Sequence, residues 1–258
     1  MNACDAADGL KDGLIDSPAS CRFDPQAIAC KDGDAATCLT PPQVEAARRI
    51  YSPALNPRTR EEVFPALQPG SEFGWGGLAG PQAVGEAVEF FRHVVFNNPA
   101  WDFKTLSFDT GTAAADRAAA DILNVTDPNL RPFFARGGKL LLYHGWNDQL
   151  VAPLNSVNYY NRIVSAVGAQ AASDSARLFM MPGMNHCRGG DGPDTFDQMK
   201  AMEQWVEQGK KPAQIVASHQ TNGQVDKTRP LCPYPQVAKY KGTGDVNDMA
   251  NFSCVEAR

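Results

Sequence analysis

An acid and a histidine each follow an apolar stretch of this chain. Asp148 lies a few residues after Lys139–Tyr143, and His186 lies a few residues after Arg177–Met181. Short apolar runs that end in polar turns are typical of the buried strands of α/β sheets. Such sheets carry their functional side chains at the carboxyl ends of the strands. We therefore predict that the two side chains meet at one sheet edge, as an acid that orients a histidine base.

The order of this pair fits the acid and the base of a serine hydrolase, in which the chain order is serine, aspartate, histidine. The alternative for Asp148 is an ordinary turn aspartate, and for His186 a surface histidine. Their positions after strands, and Cys187 directly after His186, favour the functional interpretation. His144 precedes Asp148 and so has the wrong order for the base, although it ends a strand and could line the pocket. The remaining histidines are expected to be structural: His93 and His219.

The nucleophile of such a triad is missing from the chain. A serine nucleophile of this fold lies in a Gly-x-Ser-x-Gly turn, and no serine here has glycines two residues away on both sides. Because this turn precedes the acid, we expect it upstream of Met1. No signal peptide opens the chain, which begins in a polar, cysteine-bearing loop. The sequence thus predicts a chain that lacks its N-terminal part.

Seven cysteines indicate the redox compartment. Four lie in the first forty residues and two lie near the C-terminus. Such clusters are typical of disulfides in an oxidising compartment, which predicts a secreted or periplasmic protein. Zinc is the alternative, but no Cys-x-x-Cys pair is present. Local pairing leaves Cys187 without a partner and predicts three bonds: Cys4–Cys21, Cys30–Cys38 and Cys232–Cys254.

Four aspartates between the first two cysteines are spaced closely enough to surround a cation: Asp5, Asp8, Asp12 and Asp16. Hard oxygen ligands at short spacing, with glycines that permit sharp turns, fit a Ca²⁺ loop. No glutamate closes the loop, so it is not an EF-hand. We expect the carbonyl groups of Leu10 and Leu14 to supply further ligands. The alternative is a solvated acidic turn closed by a disulfide.

Composition excludes two classes of partner. The formal net charge of -5 gives no basic surface for nucleic acid. No apolar run reaches the roughly 18 residues that a membrane span requires. A length of 258 residues suits one large domain or two smaller ones.

Apolar periodicity, caps and breakers predict the secondary structure. From about Asp127 strands and helices alternate, which indicates an α/β sheet. The helix after residue 194 is predicted to bury Phe196, Met199, Met202 and Val206. We predict a short strand at 215–218 and a loop from Pro230 onwards. The predicted helices open at Thr40 and run over Pro81–Phe96, Thr112–Asn124, Asn155–Val167 and Thr195–Gln208.

Four segments resemble the tannase/feruloyl esterase family of α/β-hydrolases: Cys4–Asp16, Cys21–Pro25, Tyr143–Asp148 and Pro182–Cys187. The resemblance implies an α/β fold, the C-terminal half of an α/β-hydrolase sheet preceded by a mostly helical and loop lid domain. The lid domain would span residues 1–123, with the calcium loop and disulfides. Residues 124–258 would form the C-terminal part of the catalytic domain. The implied activity is that of a serine carboxylesterase acting on small-molecule aromatic-acid esters.

The same resemblance implies roles for single residues. Asp148 and His186 correspond to the triad acid and base, and Cys187 to a cysteine that pairs with one beside the catalytic serine. A structural Ca²⁺ in the lid would take side chains of Asp5, Asp8 and Asp12 and carbonyls of Leu10 and Leu14. The lid also shapes an aromatic acyl pocket, although a core role is the competing interpretation for each contributor: Trp75, Phe91, Arg92, Phe96 and Trp101.

The missing serine keeps a second function open. A calcium-stabilised binding domain without catalysis, on a hydrolase scaffold, is the alternative. In either case the chain by itself is expected to be inactive, because the turn that carries the nucleophile and the oxyanion hole are absent from it.

Overall fold

The computed structural model describes residues 1–31, 33–78, 80 and 82–257. Helices, short helical turns and loops dominate up to residue 135, and a small antiparallel pair of strands accompanies them. The helices are α1 (Pro41–Ile50), α2 (Gly85–Glu89), α3 (Thr110–Leu123) and α4 (Arg131–Ala135), and the strands are β1 (Ala54–Leu55) and β2 (Glu62–Phe64).

The second half of the chain begins with a strand–helix–strand unit. Strand β3 (Leu140–Gly145) is followed by α5 (Leu154–Val167), α6 (Ala169–Ser175) and β4 (Ala176–Met181). The two strands pair in parallel, from Leu140 opposite Ala176 to Gly145 opposite Met181. The predicted alternation of strands and helices is therefore confirmed, and both strands lie within a residue or two of their predicted positions.

Strand β4 contributes residues to both of the main hydrophobic clusters of the core. Its side chains alternate between two buried clusters, one with Trp146 and α5 and one with the strands that follow. The prediction that residues 139–143 are buried on both faces was wrong, because the face that carries Leu141 and Tyr143 is only partly covered in the described part of the chain. Most of β3 is half-buried, and Tyr143 is 37% exposed.

Three predicted helix boundaries need correction. Residue 81 lies outside the described residues, and the helix there begins at Gly85 and continues as a π-helix over Phe90–Val95. Helix α3 begins at Thr110 rather than Thr112, whose hydroxyl donates to the Phe108 carbonyl group at 2.7 Å instead of capping.

Helix α7 (Gln198–Gln208) begins three residues later than predicted and buries a different face. Thr195 cannot be helical because its backbone forms a bridge with Ser218. Met199 and Val206 were predicted to be buried and are exposed, whereas Trp205 is buried. The cationic side chains of Lys139 and Arg177 lie over the Trp205 ring.

The chain after α7 forms two antiparallel hairpins, and the second contradicts the loop that was predicted from Pro230 onwards. Strand β5 (Ile215–Thr221) pairs with β6 (Gln224–Leu231), and β7 (Gln236–Tyr240) pairs with β8 (Phe252–Glu256). The first hairpin turns at Asn222 and Gly223, which both have positive φ as a tight two-residue turn requires. The predicted strand 215–218 is the first part of β5.

Among the described residues, no helix has the length and the apolar character that crossing a membrane requires.

Candidate active site

The carboxyl ends of β3 and β4 lie side by side and hold their following loops together. The N–H of Trp146 donates to the Met181 carbonyl group at 2.9 Å, and the N–H of Asn147 donates to that of Met184 at 3.0 Å. A Cβ at Gly145 would collide with the Met184 carbonyl oxygen, so only glycine permits this approach. The loop after β3 is thereby fixed against the loop that carries His186.

Asp148 and His186 meet at this sheet edge. The His186 Nδ1 atom lies 2.8 Å from Oδ2 of Asp148. Oδ1 of the same carboxylate accepts the N–H groups of Leu150 and Val151, each at 2.8 Å. Asp148 is 1% exposed. The turn therefore buries the carboxylate and leaves it available to the histidine ring.

The hydrogen bonds of Asp148 keep it ionised. Burial would raise the pKa of its carboxyl, but the bonds from His144, Val151, His186 and Leu150 outweigh burial and lower the pKa to about 2. A buried carboxylate without such donors would be protonated instead. At neutral pH the site thus presents a fixed negative charge to His186.

One ring nitrogen of His186 is free of hydrogen bonds to the described residues. Because Nδ1 faces Asp148, Nε2 is the atom available to a hydroxyl or a substrate. The side chain is 40% exposed, so the ring edge is accessible. The backbone N–H of His186 also lies 3.3 Å from the Gln149 amide oxygen, which connects the two loops once more.

His144 also contacts the acid, which the sequence analysis did not foresee. Its Nε2 lies 3.0 Å from Asp148 Oδ2 and 3.1 Å from the Val151 carbonyl oxygen. Its Nδ1 lies 2.7 Å from the Ser156 hydroxyl of α5. The sequence signal was available, since a histidine at a strand end four residues before an aspartate can turn back onto it.

The cysteines form three disulfides and leave one thiol at the site. The bonds join Cys4 to Cys21, Cys30 to Cys38 and Cys232 to Cys254. Cys187 is free and exposed, directly after His186, and its φ of 47° lies in the left-handed region.

In the aspartate-rich loop, three carboxylates accept hydrogen bonds from backbone N–H groups of the same loop. Asp5 Oδ1 accepts the N–H groups of Asp12 and Gly13, each at 3.0 Å. Asp8 accepts from Leu10 at 2.9 Å, and Asp12 accepts from the N–H of Leu14 at 3.2 Å. These bonds wrap residues 5–14 around the buried Asp5 carboxylate.

Three carboxylates of this loop are crowded together. Burial, a hydrogen bond with Asp8 and the charges of Asp8 and Asp12 raise the pKa of Asp16 well above its ordinary value. Two cations of β6 oppose them. Arg229 pairs with Asp12 and lies 4.0 Å from the Phe252 ring centroid, and Lys227 donates to the Asp12 carbonyl group at 3.3 Å. Negative charge therefore exceeds positive charge at this site.

The donor atoms of this loop fit calcium in type but are not gathered around one point. In the described residues no group of three His, Cys, Asp or Glu side chains is arranged to hold a metal ion. Asp5, one of the predicted ligands, is occupied by two backbone donors. The carbonyl oxygens of Leu10 and Leu14 accept no hydrogen bond within the same part of the chain.

The predicted aromatic residues fall into two groups. Trp75 lies 4.9 Å from the Tyr51 ring at a steep angle and donates its Nε1–H to Ser71 at 2.9 Å. The short helix that carries Trp75, Glu72–Gly77, lies on the loop after β3, because Gly74 packs against the side chain of Gln149. This group is therefore adjacent to the acid.

The second group packs on itself. The rings of Phe91, Phe96 and Trp101 have centroids 5.3–5.8 Å apart. Arg92 donates to the Trp101 carbonyl group at 3.1 Å and pairs with Glu89 at 2.9 Å. No hydrogen bond joins this cluster to Asp148 or His186 in the part of the chain described.

A cavity of about 160 Å³ lies between the aspartate-rich loop and the C-terminal strands. Its lining includes Leu14, Trp146, Met180, Arg229 and Tyr234. Neither Asp148 nor His186 lines it, so it is separate from the acid–histidine pair.

Comparison with known proteins places the whole chain in one family. The family model described as tannase and feruloyl esterase matches residues 1–255. An uncharacterized esterase of Xanthomonas campestris is 36% identical over 98% of this chain and 53% of its own length. The mono(2-hydroxyethyl) terephthalate hydrolase of Piscinibacter sakaiensis is 34% identical over 98% of this chain and 50% of its own length.

Solved structures agree. The crystal structure of feruloyl esterase B from Aspergillus oryzae matches with a TM-score of 0.91 and 29% identity, over 98% of this chain and 54% of that one. An esterase from the same organism matches with a TM-score of 0.90 and 34% identity, over the same shares. The chain spans about half the length of these relatives. The chain belongs to the tannase and feruloyl esterase family.

Proposed function

We propose that this chain is the acid- and base-bearing part of a serine ester hydrolase that acts on aromatic-acid esters. Asp148 is the acid and His186 is the base. The observation that carries the proposal is the 2.8 Å contact between His186 Nδ1 and the buried Asp148 carboxylate, at the ends of two adjacent parallel strands. The esterase names of the relatives support the reaction class.

The proposed mechanism assigns one step to each group. A serine encoded upstream of residue 1 attacks the ester carbonyl carbon, and His186 Nε2 takes its proton. The protonated ring then gives that proton to the leaving alcohol, and water hydrolyses the acyl-serine by the same route. Asp148 holds the ring by Nδ1–H and stabilises its positive charge, because the carboxylate stays ionised down to a pH of about 2.

The arrangement of the chain fits a catalytic domain that is completed by a preceding segment. In the proposal, residues 124–258 are the C-terminal part of an α/β-hydrolase sheet, and residues 1–123 are a lid inserted before it. The half-exposed β3 supports this division, since further strands could cover its open side. Cys187 would then bond a cysteine beside the serine, and three further disulfides suit a secreted or periplasmic protein.

Two lid regions are proposed to bind the aromatic part of the substrate. Trp75 has the stronger support, because its short helix lies on Gln149 next to the acid. Phe96 and Arg92 belong to the second aromatic group, in which both contact Trp101. The relatives named as feruloyl esterases and as a terephthalate monoester hydrolase support aromatic esters as the class.

A calcium ion in the aspartate-rich loop is proposed as a structural element. Asp8 and Asp12 would bind it together with the carbonyl oxygens of Leu10 and Leu14, and Asp5 would bind through its second oxygen. The excess of aspartates over the two cations beside the loop, Arg229 and Lys227, supports this assignment. The ion would compensate that charge and hold the loop against β6.

The test uses the extended chain, which is residues 1–258 together with the natural sequence encoded upstream of them. An in-frame Gly-x-Ser-x-Gly in that sequence is expected. The extended chain should hydrolyse methyl ferulate or methyl gallate, and His186→Ala should abolish the reaction. Full activity of His186→Ala would refute the base assignment. No hydrolysis by the extended chain, with no serine turn upstream, would favour a binding domain instead.

A further inference from the structure

A second histidine, His144, is directed at the acid of the proposed pair. It is the next-to-last residue of β3, and its side chain is 12% exposed. Its ring lies between the Asp148 carboxylate, the Val151 carbonyl group and the Ser156 hydroxyl of α5. It thus joins the strand, the loop after it and the next helix at one point.

The contacts of this ring determine where its proton lies. Nε2 faces two acceptors, Asp148 Oδ2 at 3.0 Å and the Val151 carbonyl oxygen at 3.1 Å, so Nε2 must carry hydrogen. Nδ1, at 2.7 Å from the Ser156 oxygen, can accept the hydroxyl proton. The neutral ring protonated on Nε2 therefore satisfies every contact, with Ser156 as the group that selects this tautomer.

The acid receives four donors in a symmetrical arrangement. The N–H groups of Leu150 and Val151 bind Oδ1, and the rings of His144 and His186 bind Oδ2. No other ion pair reaches Asp148 within the described residues. With three donors from its own turn and strand, the carboxylate cannot rotate away from His186 without breaking bonds that no water replaces in a buried site.

We propose that His144 is a positioning residue, which holds the Asp148 carboxylate ionised and aimed at His186. The proposal rests on the proposed function, in which Asp148 and His186 are the acid and the base. It adds a residue outside the serine–histidine–aspartate set, with Ser156 behind it as the group that orients the ring.

The first test is titration of the Asp148 carboxyl by carbon NMR in the 258-residue chain. His144→Phe keeps the ring shape and removes the donor, and it should raise the carboxyl midpoint by about one unit, because one charge-assisted hydrogen bond is lost. His144→Gln places an amide N–H near the position of Nε2 and should restore part of the shift. An unchanged midpoint in a folded His144→Phe variant would overturn the proposal.

A matched control and a variant-free measurement accompany this test. His219→Phe removes the histidine from the pair with Asp226, which is 2.7 Å long and exposed, and should leave the Asp148 midpoint where it is. Nitrogen NMR of the unmodified chain should place the His144 proton on Nε2. A proton on Nδ1 alone would refute the proposal even if the His144 variants do not fold.

The kinetic test separates this inference from the proposed function. In the extended chain, His144→Phe should lower kcat about tenfold or more for methyl ferulate with little change in KM, and His144→Gln should recover part of the loss. An unchanged kcat in His144→Phe would overturn the positioning role. If the extended chain hydrolyses no ester, the proposed function fails, and the carboxyl titration still decides what His144 does to Asp148.

Discussion

The turn around Asp148 and the aspartate-rich loop each hold a carboxyl group whose pKa departs from its ordinary value, and the two shifts have opposite directions. Asp148 is buried among donors, two imidazole rings and two backbone N–H groups, and the pKa of its carboxyl falls to about 2. Asp16 lies among other carboxylates, and burial and its neighbours raise the pKa of its carboxyl. The first site is electrostatically complete within this chain. The second has too much negative charge, which is the condition that a bound cation would relieve.

The largest expected effect comes from removing the negative charge of Asp148. In the extended chain, Asp148→Asn should reduce kcat for aromatic esters about 10⁴-fold, because an amide can fix the wrong tautomer of His186 and does not stabilise its positive charge. The measurement is steady-state hydrolysis of methyl ferulate. Asp226→Asn alters the His219–Asp226 pair of the β5–β6 hairpin, which does not involve Asp148, and should leave kcat unchanged.

The second prediction concerns the calcium ion that we propose for the aspartate-rich loop. Addition of Ca²⁺ at about 100 times its Kd should stabilise the chain by about 2.7 kcal/mol and raise the melting temperature by roughly 5–10 °C, and EDTA should reverse this. Scanning calorimetry checks the shift. Asp8→Asn should weaken the response, whereas Asp174→Asn, at an exposed aspartate distant in sequence, should not. No shift with Ca²⁺ in the unmodified chain would refute the calcium proposal.

The two sites should also respond to pH with opposite sign. The folded-state pKa of Asp148 is about 2 and its ordinary value is 3.8, so its contribution of about 2 kcal/mol is complete above pH 4 and is lost as pH falls towards 2. Asp16 has a raised pKa, so the calcium-free chain should lose stability as pH rises above about 4. Urea unfolding at several pH values measures both trends.

Replacing Asp16 tests which group causes each change of stability with pH. Asp16→Asn should remove the loss of stability above pH 4 and leave the loss at low pH in place. If both trends persist in Asp16→Asn, the raised pKa belongs to a different group and the contrast between the two loops is incorrect.

The smallest expected effect concerns the contact between the lid and the acid. Gly74→Ala places a Cβ against the side chain of Gln149, which must move and so loses its contact with the His186 N–H. Because the new Cβ would also crowd the Gln149 Cβ, the backbone after β3 must shift slightly, and kcat should fall by about threefold. Gly76→Ala in the same short helix has open space around the new Cβ and should have no effect.

The sequence was informative where short-range patterns decide the structure. Apolar runs and polar turns located β3 and β4, and the residue order identified Asp148 and His186 as partners. Local cysteine spacing predicted the three disulfides because each closes a loop of fewer than 25 residues. The turn at Asn222-Gly223 was a usable hairpin signal, but no strand was predicted after it.

The predictions were wrong where contacts between residues far apart in sequence determine the structure. The pairing of β7 with β8 depends on a contact across more than ten residues of irregular chain, for which periodicity carries no information. The prediction of which face of α7 is buried was wrong because Trp205 packs beneath Lys139 and Arg177, which belong to the β3–β4 region. The second histidine on Asp148 depends on how tightly the loop after β3 turns back, so the four-residue spacing of His144 and Asp148 permits the contact without determining it.

The most direct test of the central claim is a double-mutant cycle of Asp148 and His186 in the extended chain. If the two side chains act as one acid–base unit, Asp148→Asn combined with His186→Ala should be no slower than His186→Ala alone. The measurement is kcat for methyl ferulate in the four proteins of the cycle. Losses that multiply in the double variant would show that the residues act independently and would contradict the account.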